Sequence, residues 1–397
     1  MKKKMKLTAV VMSTALLMCA CGTTTGNTED SETESEVHEE VVLTGHEVQL
    51  SMLEPAAYSN VDGLELEPGT YISIVGKSLD QAYWKAVAEG AKQAVADLNE
   101  KLGYEGVDKI KFVYSGPEES YDVDEQVNIL DEELARYPHA LGIALVDAKS
   151  CGVQFDLAAQ NGISVVTFDT TSDYQGVMAR IETDNVEAAT EAASGLAAAM
   201  GEMGEIVMFI DDSKSLTATE RENAFVQEIT ENHPGVTVGQ IYHEDNLDEI
   251  KAAIVAEVST GTYELGVMEV EEGTEITAAS IINEEVYNYI FQKGTDIAGV
   301  YTTSSELMEM AIKYCEKFGR ADIEIVGFDA NANQVEALKE GKAEGLILQN
   351  PYGMGYATVV ACARSIMNEG NEAVVDAGYT WIDADNIEDE VIQSILY

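Results

Sequence analysis

Seven positions carry side chains suited to gripping a small polar molecule, and each follows an apolar run of strand length. Gln81, Tyr83 and Trp84 follow 71–75, Asp169 follows 164–168, Ser304 follows 297–301, Asp329 follows 323–328, and Gln349 follows 346–348. A neutral polyhydroxylated ligand is held by planar groups that make two hydrogen bonds at once, as Asp and Gln do. Flat rings such as Tyr and Trp cover its apolar C–H faces. Taken singly, each residue has a plainer explanation: an Asp at a strand end caps the next helix, and a Tyr or Trp in a first helical turn packs into a core. Asp169 and Asp329 are also the pair of carboxylates a glycoside hydrolase needs, although nothing next to them in sequence would shift their ionisation.

The elements that must position these groups alternate between strand and helix. After the run Tyr71-Ile72-Ser73-Ile74-Val75, residues Trp84, Val87, Ala88, Ala91, Val95 and Leu98 recur every three or four positions, with Lys85, Glu89, Lys92, Asp97 and Glu100 between them. This pattern is an amphipathic helix packed on a sheet. Strands at 110–114, 141–146 and 164–168, each separated from the next by a helix, imply a parallel sheet with right-handed crossovers. In such sheets ligands bind at the carboxyl ends of the strands. A second lobe begins near Thr183-Asp184-Asn185 and repeats the unit, with strands at 205–210, 236–242, 297–301, 323–328 and 346–348. Between 246 and 273 the pattern is less regular, with a helix expected over 247–258 and a strand over 265–270; a clear helix resumes over 276–292. A last strand is expected at 379–382.

The N-terminus reads as a leader. Met1-Lys2-Lys3-Lys4-Met5-Lys6 is basic, 7–18 is mostly apolar, and Cys19-Ala20-Cys21-Gly22 closes it, so residues 1–20 resemble a bacterial lipoprotein signal with Cys21 as the lipidated residue. Residues 22–54 contain nine acids and no Lys or Arg, and the stretch 21–69 is expected to be an extended acidic tether. The whole chain has 72 Asp and Glu against 23 Lys and Arg, a net charge of −49. That balance excludes nucleic acid as a partner and electrostatic adhesion to anionic lipid, leaving the lipid on Cys21 as the membrane attachment. No metal or cofactor motif is present, and Gly76-Lys77-Ser78 lacks the upstream Gly of a phosphate loop, so it reads as a plain turn. Cys151, Cys315 and Cys362 are too widely spaced for a zinc site and read as small buried hydrophobes.

From about 71 to 382 the chain resembles the type I periplasmic-binding-protein family of ABC importers, nearest to ribose- and galactose-type sugar receptors. The pieces that carry the resemblance are Gln81-Ala82-Tyr83-Trp84, Val165-Val166-Thr167-Phe168-Asp169, Thr183-Asp184-Asn185, Glu220-Arg221 with Phe225, Ile325-Val326-Gly327-Phe328-Asp329, and Gln349-Asn350-Pro351. The resemblance implies an α/β fold of two Rossmann-like lobes with parallel sheets, a three-strand hinge near Thr183, Gln349 and Tyr379, and a ligand cleft between the lobes. Lobe 1 would be 70–183 with 350–380, and lobe 2 would be 184–349 with 381–397. By position Tyr83 and Trp84 match the ring pair that sandwiches the sugar, and Asp169, Asp329 and Gln349 match hydroxyl-binding residues. Gln81 and Ser304 sit where the ribose receptor has Asn. Thr170 and Thr219 stand where that receptor has Arg, so two bidentate donors are missing while both positions are still implied to meet the ligand, and Arg221 reads as structural. The implied function is that of a monomeric, lipid-anchored extracytoplasmic receptor delivering a sugar to an ABC permease. The alternatives are a co-receptor presenting its ligand to a membrane sensor, and the hydrolase above.

Overall fold

A computed structural model describes residues 43, 45–118, 122–271 and 274–397; the leader and Cys21 lie outside the described residues. In chain order the first elements are α1 (His46–Ser51), β1 (Tyr71–Val75), α2 (Ala82–Leu102), β2 (Lys111–Ser115), α3 (Val123–Ala135), β3 (Ala140–Ile143), α4 (Gly152–Gln160), β4 (Ser164–Phe168) and β5 (Val177–Glu182). Then come α5 (Asn185–Ala199), β6 (Gly204–Ile210), α6 (Leu216–Asn232), β7 (Val236–His243), α7 (Asp248–Thr260), α8 (Asn283–Lys293), β8 (Ile297–Thr302), α9 (Ser305–Phe318), β9 (Glu324–Phe328), α10 (Ala332–Lys339) and β10 (Gly345–Gln349). The chain finishes with α11 (Pro351–Ile366), β11 (Val374–Asp376), β12 (Tyr379–Ile382) and α12 (Glu390–Ile395).

The strands form two six-stranded sheets, ordered β11-β5-β4-β3-β1-β2 in lobe 1 and β12-β10-β9-β8-β6-β7 in lobe 2. All pairs are parallel except β10 with β12. The chain passes between sheets after β5, after β10 and between β11 and β12. Side chains tie these crossings together: Thr183 Oγ1 donates to Gln349 Oε1 at 3.0 Å, and Asn350 Nδ2 donates to the Ala377 carbonyl at 2.7 Å. Every residue of β1, β3 and β10 is buried, as strands covered on both faces require. Trp84, Val87, Ala91, Val95 and Leu98 of α2 enter the lobe 1 core as their spacing predicts. There α2 meets α11 at close range, because a Cβ added at Gly90 would run into the Tyr352 carbonyl and one at Gly355 into that of Val87.

Two expectations fail. Residues 45–69 are not an extended tether: Leu53, Tyr58, Val61, Leu64 and Leu66 are buried in lobe 1, while Val48 on α1 is buried against lobe 2. Asn350 Nδ2 donates to the Gln49 carbonyl of α1 at 2.7 Å, and the Gly45 amide donates to Ser394 Oγ at 2.8 Å, so this segment straps the hinge. Acidic neighbours hid an apolar residue every two to five positions from Leu53 to Leu66. The expected strand at 265–270 is absent because the backbone there has another partner. The amides of Gly266, Val267 and Met268 donate to the carboxylate of Glu285, which is fully buried in α8 and also receives the Tyr263 hydroxyl at 2.5 Å. Helix α8 correspondingly starts later than expected, at Asn283.

Candidate functional site

The carboxyl ends of both sheets face one another across a cleft of about 850 Å³, a volume within the range of small-molecule sites. Eight of the nine residues expected to touch a ligand line it: Gln81, Tyr83, Trp84, Asp169, Thr170, Ser304, Asp329 and Gln349. Thr219 does not. It is exposed, and its hydroxyl bonds back to the Ser215 carbonyl at 2.8 Å. On α6, positions 217 and 221 fall about 40° apart whereas 219 points roughly the opposite way. Thr217 and Arg221 therefore face the cleft instead, and the Thr217 hydroxyl reaches across to the Asp169 carbonyl at 3.2 Å.

Asp169 follows β4, and its backbone is in the left-handed region with φ 58°; its amide is held by the Ile181 carbonyl at 2.9 Å. Its carboxylate is crowded with donors. Lys77 Nζ lies 2.7 Å from Oδ2, the Thr170 hydroxyl 2.9 Å from the same oxygen, and the Tyr83 hydroxyl 2.9 Å from Oδ1. Burial alone would raise this carboxyl, but the Lys77 charge and the hydrogen bonds from Lys77 and Tyr83 outweigh it and hold it below the usual carboxylate range. The reading of Gly76-Lys77-Ser78 as a plain turn is thus corrected. The lysine turns inward because its counter-charge, 92 residues away in sequence, stands at the end of a nearby strand. Its ammonium also lies 5.7 Å from the Trp84 ring centroid.

Trp84 borders the cleft but is 2 % exposed. Its ring packs edgewise on Phe168 at 6.3 Å and on Tyr83 at 5.0 Å. It shares the helical face of Val87 and Ala91, so the periodicity that places α2 on the sheet also places Trp84 in the core. Of the expected ring pair, Tyr83 is the half-buried member that meets the cleft.

Asp329 is the lobe 2 counterpart. It follows β9 with φ 71°, and its amide is held by the Ile347 carbonyl at 2.9 Å. Its Oδ1 accepts from Gln349 Nε2 at 2.6 Å and from the Tyr397 hydroxyl at 3.2 Å. Burial pushes its pKa up to about 6, against the pull of the Arg221 charge and the Gln349 hydrogen bond; the charges of Glu306 and Asp211 add to the rise. Arg221, 5 % exposed, does not contact the carboxylate directly. Its donors go to Asn185 Oδ1 (2.8 Å), the Thr303 carbonyl (2.7 Å) and Gln349 Oε1 (3.0 Å), and its guanidinium lies 3.8 Å above the Phe328 ring. Asp211, beyond β6, accepts from the Thr303 hydroxyl at 3.0 Å, and burial raises it as well. Ser304 precedes α9 without capping it through its side chain. Gln81 bridges the lobes, its amide donating to Glu306 Oε1 at 2.8 Å.

Sequence reading missed Lys77, Asp211, Thr217, Glu306 and Tyr397. Only Asp211 carried a usable signal: it follows the run 205–210 as Asp169 and Asp329 follow theirs. Cys151, Cys315 and Cys362 are buried thiols as expected, and burial pushes each of them up.

Two lobes crossed three times, with planar acceptors at matching strand ends, define an architecture that sequence comparison identifies. Residues 72–370 match the family model of the periplasmic binding protein domain. The chain belongs to that family. It is a type I periplasmic binding protein. The ribose import binding protein of Salmonella typhimurium is 22 % identical over 302 residues, which is 76 % of this chain and 86 % of that protein. The Escherichia coli ribose import binding protein matches to the same extent. Among solved structures, an ABC transporter solute-binding protein from Agrobacterium vitis bound to α-D-tagatopyranose superposes with TM-score 0.66 at 23 % identity, covering 83 % of this chain and 99 % of that one. A carbohydrate transporter solute-binding protein from Agrobacterium radiobacter in complex with D-arabinose gives 0.64 at 22 %, with the same coverage.

Proposed function

We propose that this periplasmic binding protein is a lipid-anchored extracytoplasmic receptor that captures a sugar in its interlobe cleft and delivers it to an ABC permease. The observation that carries the reading is the pair Asp169 and Asp329, set at equivalent strand ends of opposite lobes with tyrosine hydroxyls beside them. A polyol held at the Asp329 carboxylate and against the side formed by Tyr83 and Asp169 contacts both lobes and so favours the closed state over the open one, which is how a hinged receptor signals occupancy. The sugar ligands of the relatives support the ligand class, and the leader ending at Cys21 supports the anchor.

A hydrolase would also use two carboxylates, and here their ionisation is driven apart, contrary to the expectation from sequence. Asp169, however, has both oxygens occupied by protein donors, leaving a poor nucleophile or base.

Purified protein should bind one or more of D-ribose, D-arabinose, D-galactose, D-glucose and D-fucose by calorimetry and return the sugar unaltered. Binding should raise thermal stability, by about 2.7 kcal/mol at a hundredfold excess over Kd. Absence of binding across the panel would sink the sugar reading, and recovery of an altered sugar would reverse the choice against hydrolysis. Cys21→Ser should release the protein from membranes; retention of that variant in the membrane fraction would remove the anchor.

A further inference from the structure

Two tyrosines meet across the cleft, one from each lobe. Tyr83 stands in the first turn of α2 in lobe 1. Tyr397 follows α12, whose Ile392 and Ile395 are buried in the lobe 2 core, so its position is set by that packing. The two rings lie edge to face, with centroids 5.7 Å apart and planes at 80°. Each hydroxyl donates to the aspartate of its own lobe, Tyr83 to Asp169 and Tyr397 to Asp329.

The two aspartates differ in what remains for a ligand. Lys77 and Thr170 take Oδ2 of Asp169 while Tyr83 takes Oδ1. At Asp329 both side-chain donors, Gln349 Nε2 and the Tyr397 hydroxyl, converge on Oδ1. A carboxylate oxygen has two lone-pair directions, and with Oδ1 filled the carboxylate is fixed in rotation with Oδ2 left as its acceptor.

We propose that Tyr397 is a specificity-determining residue of the cleft, its hydroxyl fixing the Asp329 carboxylate so that Oδ2 meets a ligand hydroxyl, and its ring forming with Tyr83 a wall for an adjacent C–H face. This rests on the sugar-receptor reading above. A sugar that fits must present a hydroxyl donor and an apolar face on neighbouring carbons, a stereochemical demand that neither Asp329 nor Tyr83 imposes alone.

The groups that set the charge of Asp329 come from several elements: Arg221 on α6, Glu306 on α9, Asp211 after β6 and Gln349 at the end of β10, with Tyr83 facing it from α2. A hydroxyl donated to the carboxylate favours its ionised form, so removing the hydroxyl raises the pH at which the carboxylate ionises.

The test is calorimetric titration of the wild type, Tyr397→Phe and Tyr397→Ala with D-ribose, D-arabinose, D-galactose, D-glucose and D-fucose between pH 5 and 8. Tyr397→Ala should weaken the best sugar about tenfold or more and flatten the ranking among sugars. Tyr397→Phe, which keeps the ring, should weaken it about threefold to fivefold and shift the midpoint of the pH dependence upward. Unchanged affinity in Tyr397→Ala overturns the inference, and so does tighter binding, which would mean the tyrosine occupies the ligand's place. A loss in Tyr397→Phe with an unmoved midpoint also overturns it, since packing alone would do that; this variant decides the matter if Tyr397→Ala does not fold. A wild type that binds none of the sugars overturns the sugar reading together with this inference, whereas a binding wild type with unaffected variants overturns the inference alone.

Discussion

Asp169 and Asp329 occupy equivalent places, each one residue past a central strand, each with a left-handed backbone, each with its amide on the neighbouring strand's carbonyl. Their surroundings differ in one respect. Lobe 1 supplies a cation to its aspartate through Lys77, whereas lobe 2 supplies only neutral donors and directs its own cation, Arg221, to an amide, a carbonyl and a second amide. The same burial therefore ends in a carboxyl held low in one lobe and raised to about 6 in the other. Lobe 1 is a finished half-site whose charge is already neutralised. Lobe 2 keeps a carboxylate with a raised pKa and an open oxygen, and under the proposed sugar-receptor role discrimination between ligands would rest on that side.

The largest test of this asymmetry addresses the lobe 1 wall. Because Trp84 is core on the cleft's border, Trp84→Ala should cost about 4 kcal/mol of unfolding free energy in urea titration. A variant of near-native stability that has lost ligand affinity would instead make Trp84 an open stacking platform, and lobe 1 would no longer be the preformed half.

A somewhat smaller effect is expected from the ion pair. Lys77→Met strands the Asp169 carboxylate in a site where the two side chains are only 13 % and 12 % exposed, and should cost about 3 kcal/mol. Adding Asp169→Asn should restore most of that loss, since the stranded charge is then gone. If the double variant is no more stable than the single one, Lys77 acts through packing and the electrostatic contrast between lobes disappears.

The smallest effect has the clearest sign. The folded pKa of Asp329, about 6, lies above the ordinary 3.8, so the folded protein holds a proton there that the unfolded chain has lost. The stability this contributes is present below about pH 4 and is lost as pH rises through 6, at most about 3 kcal/mol in all. Asp329→Asn should flatten that part of the stability profile between pH 4 and 7. Asp169, with its depressed pKa, runs the other way: its contribution is present at neutral pH and fades only on acidification below the ordinary carboxylate range. Equal slopes for Asp169→Asn and Asp329→Asn would contradict the comparison.

The sequence by itself determined the α/β alternation and most of the residues that line the cleft. Period-2 and period-3.6 patterns are local, and a polar residue directly after an apolar strand has few places to go other than the sheet's carboxyl edge. Asp169, Asp329 and Gln349 were legible for that reason. Contacts over long separations were not. Lys77 sits in an unremarkable turn until a strand end 92 residues later supplies its partner, and Tyr397 means nothing until α12 packs on lobe 2 and carries it to Asp329. Thr219 was misplaced because motif position does not resolve which side of a helix faces the cleft once the helix is docked. The hinge strap was hidden because acidity dominated a segment whose spaced apolar residues acquire meaning only against two finished cores. That Asp329 holds its proton up to about pH 6 was decided by tertiary structure alone, because desolvation and the direction in which Arg221 points are properties of the packed site and not of any stretch of chain.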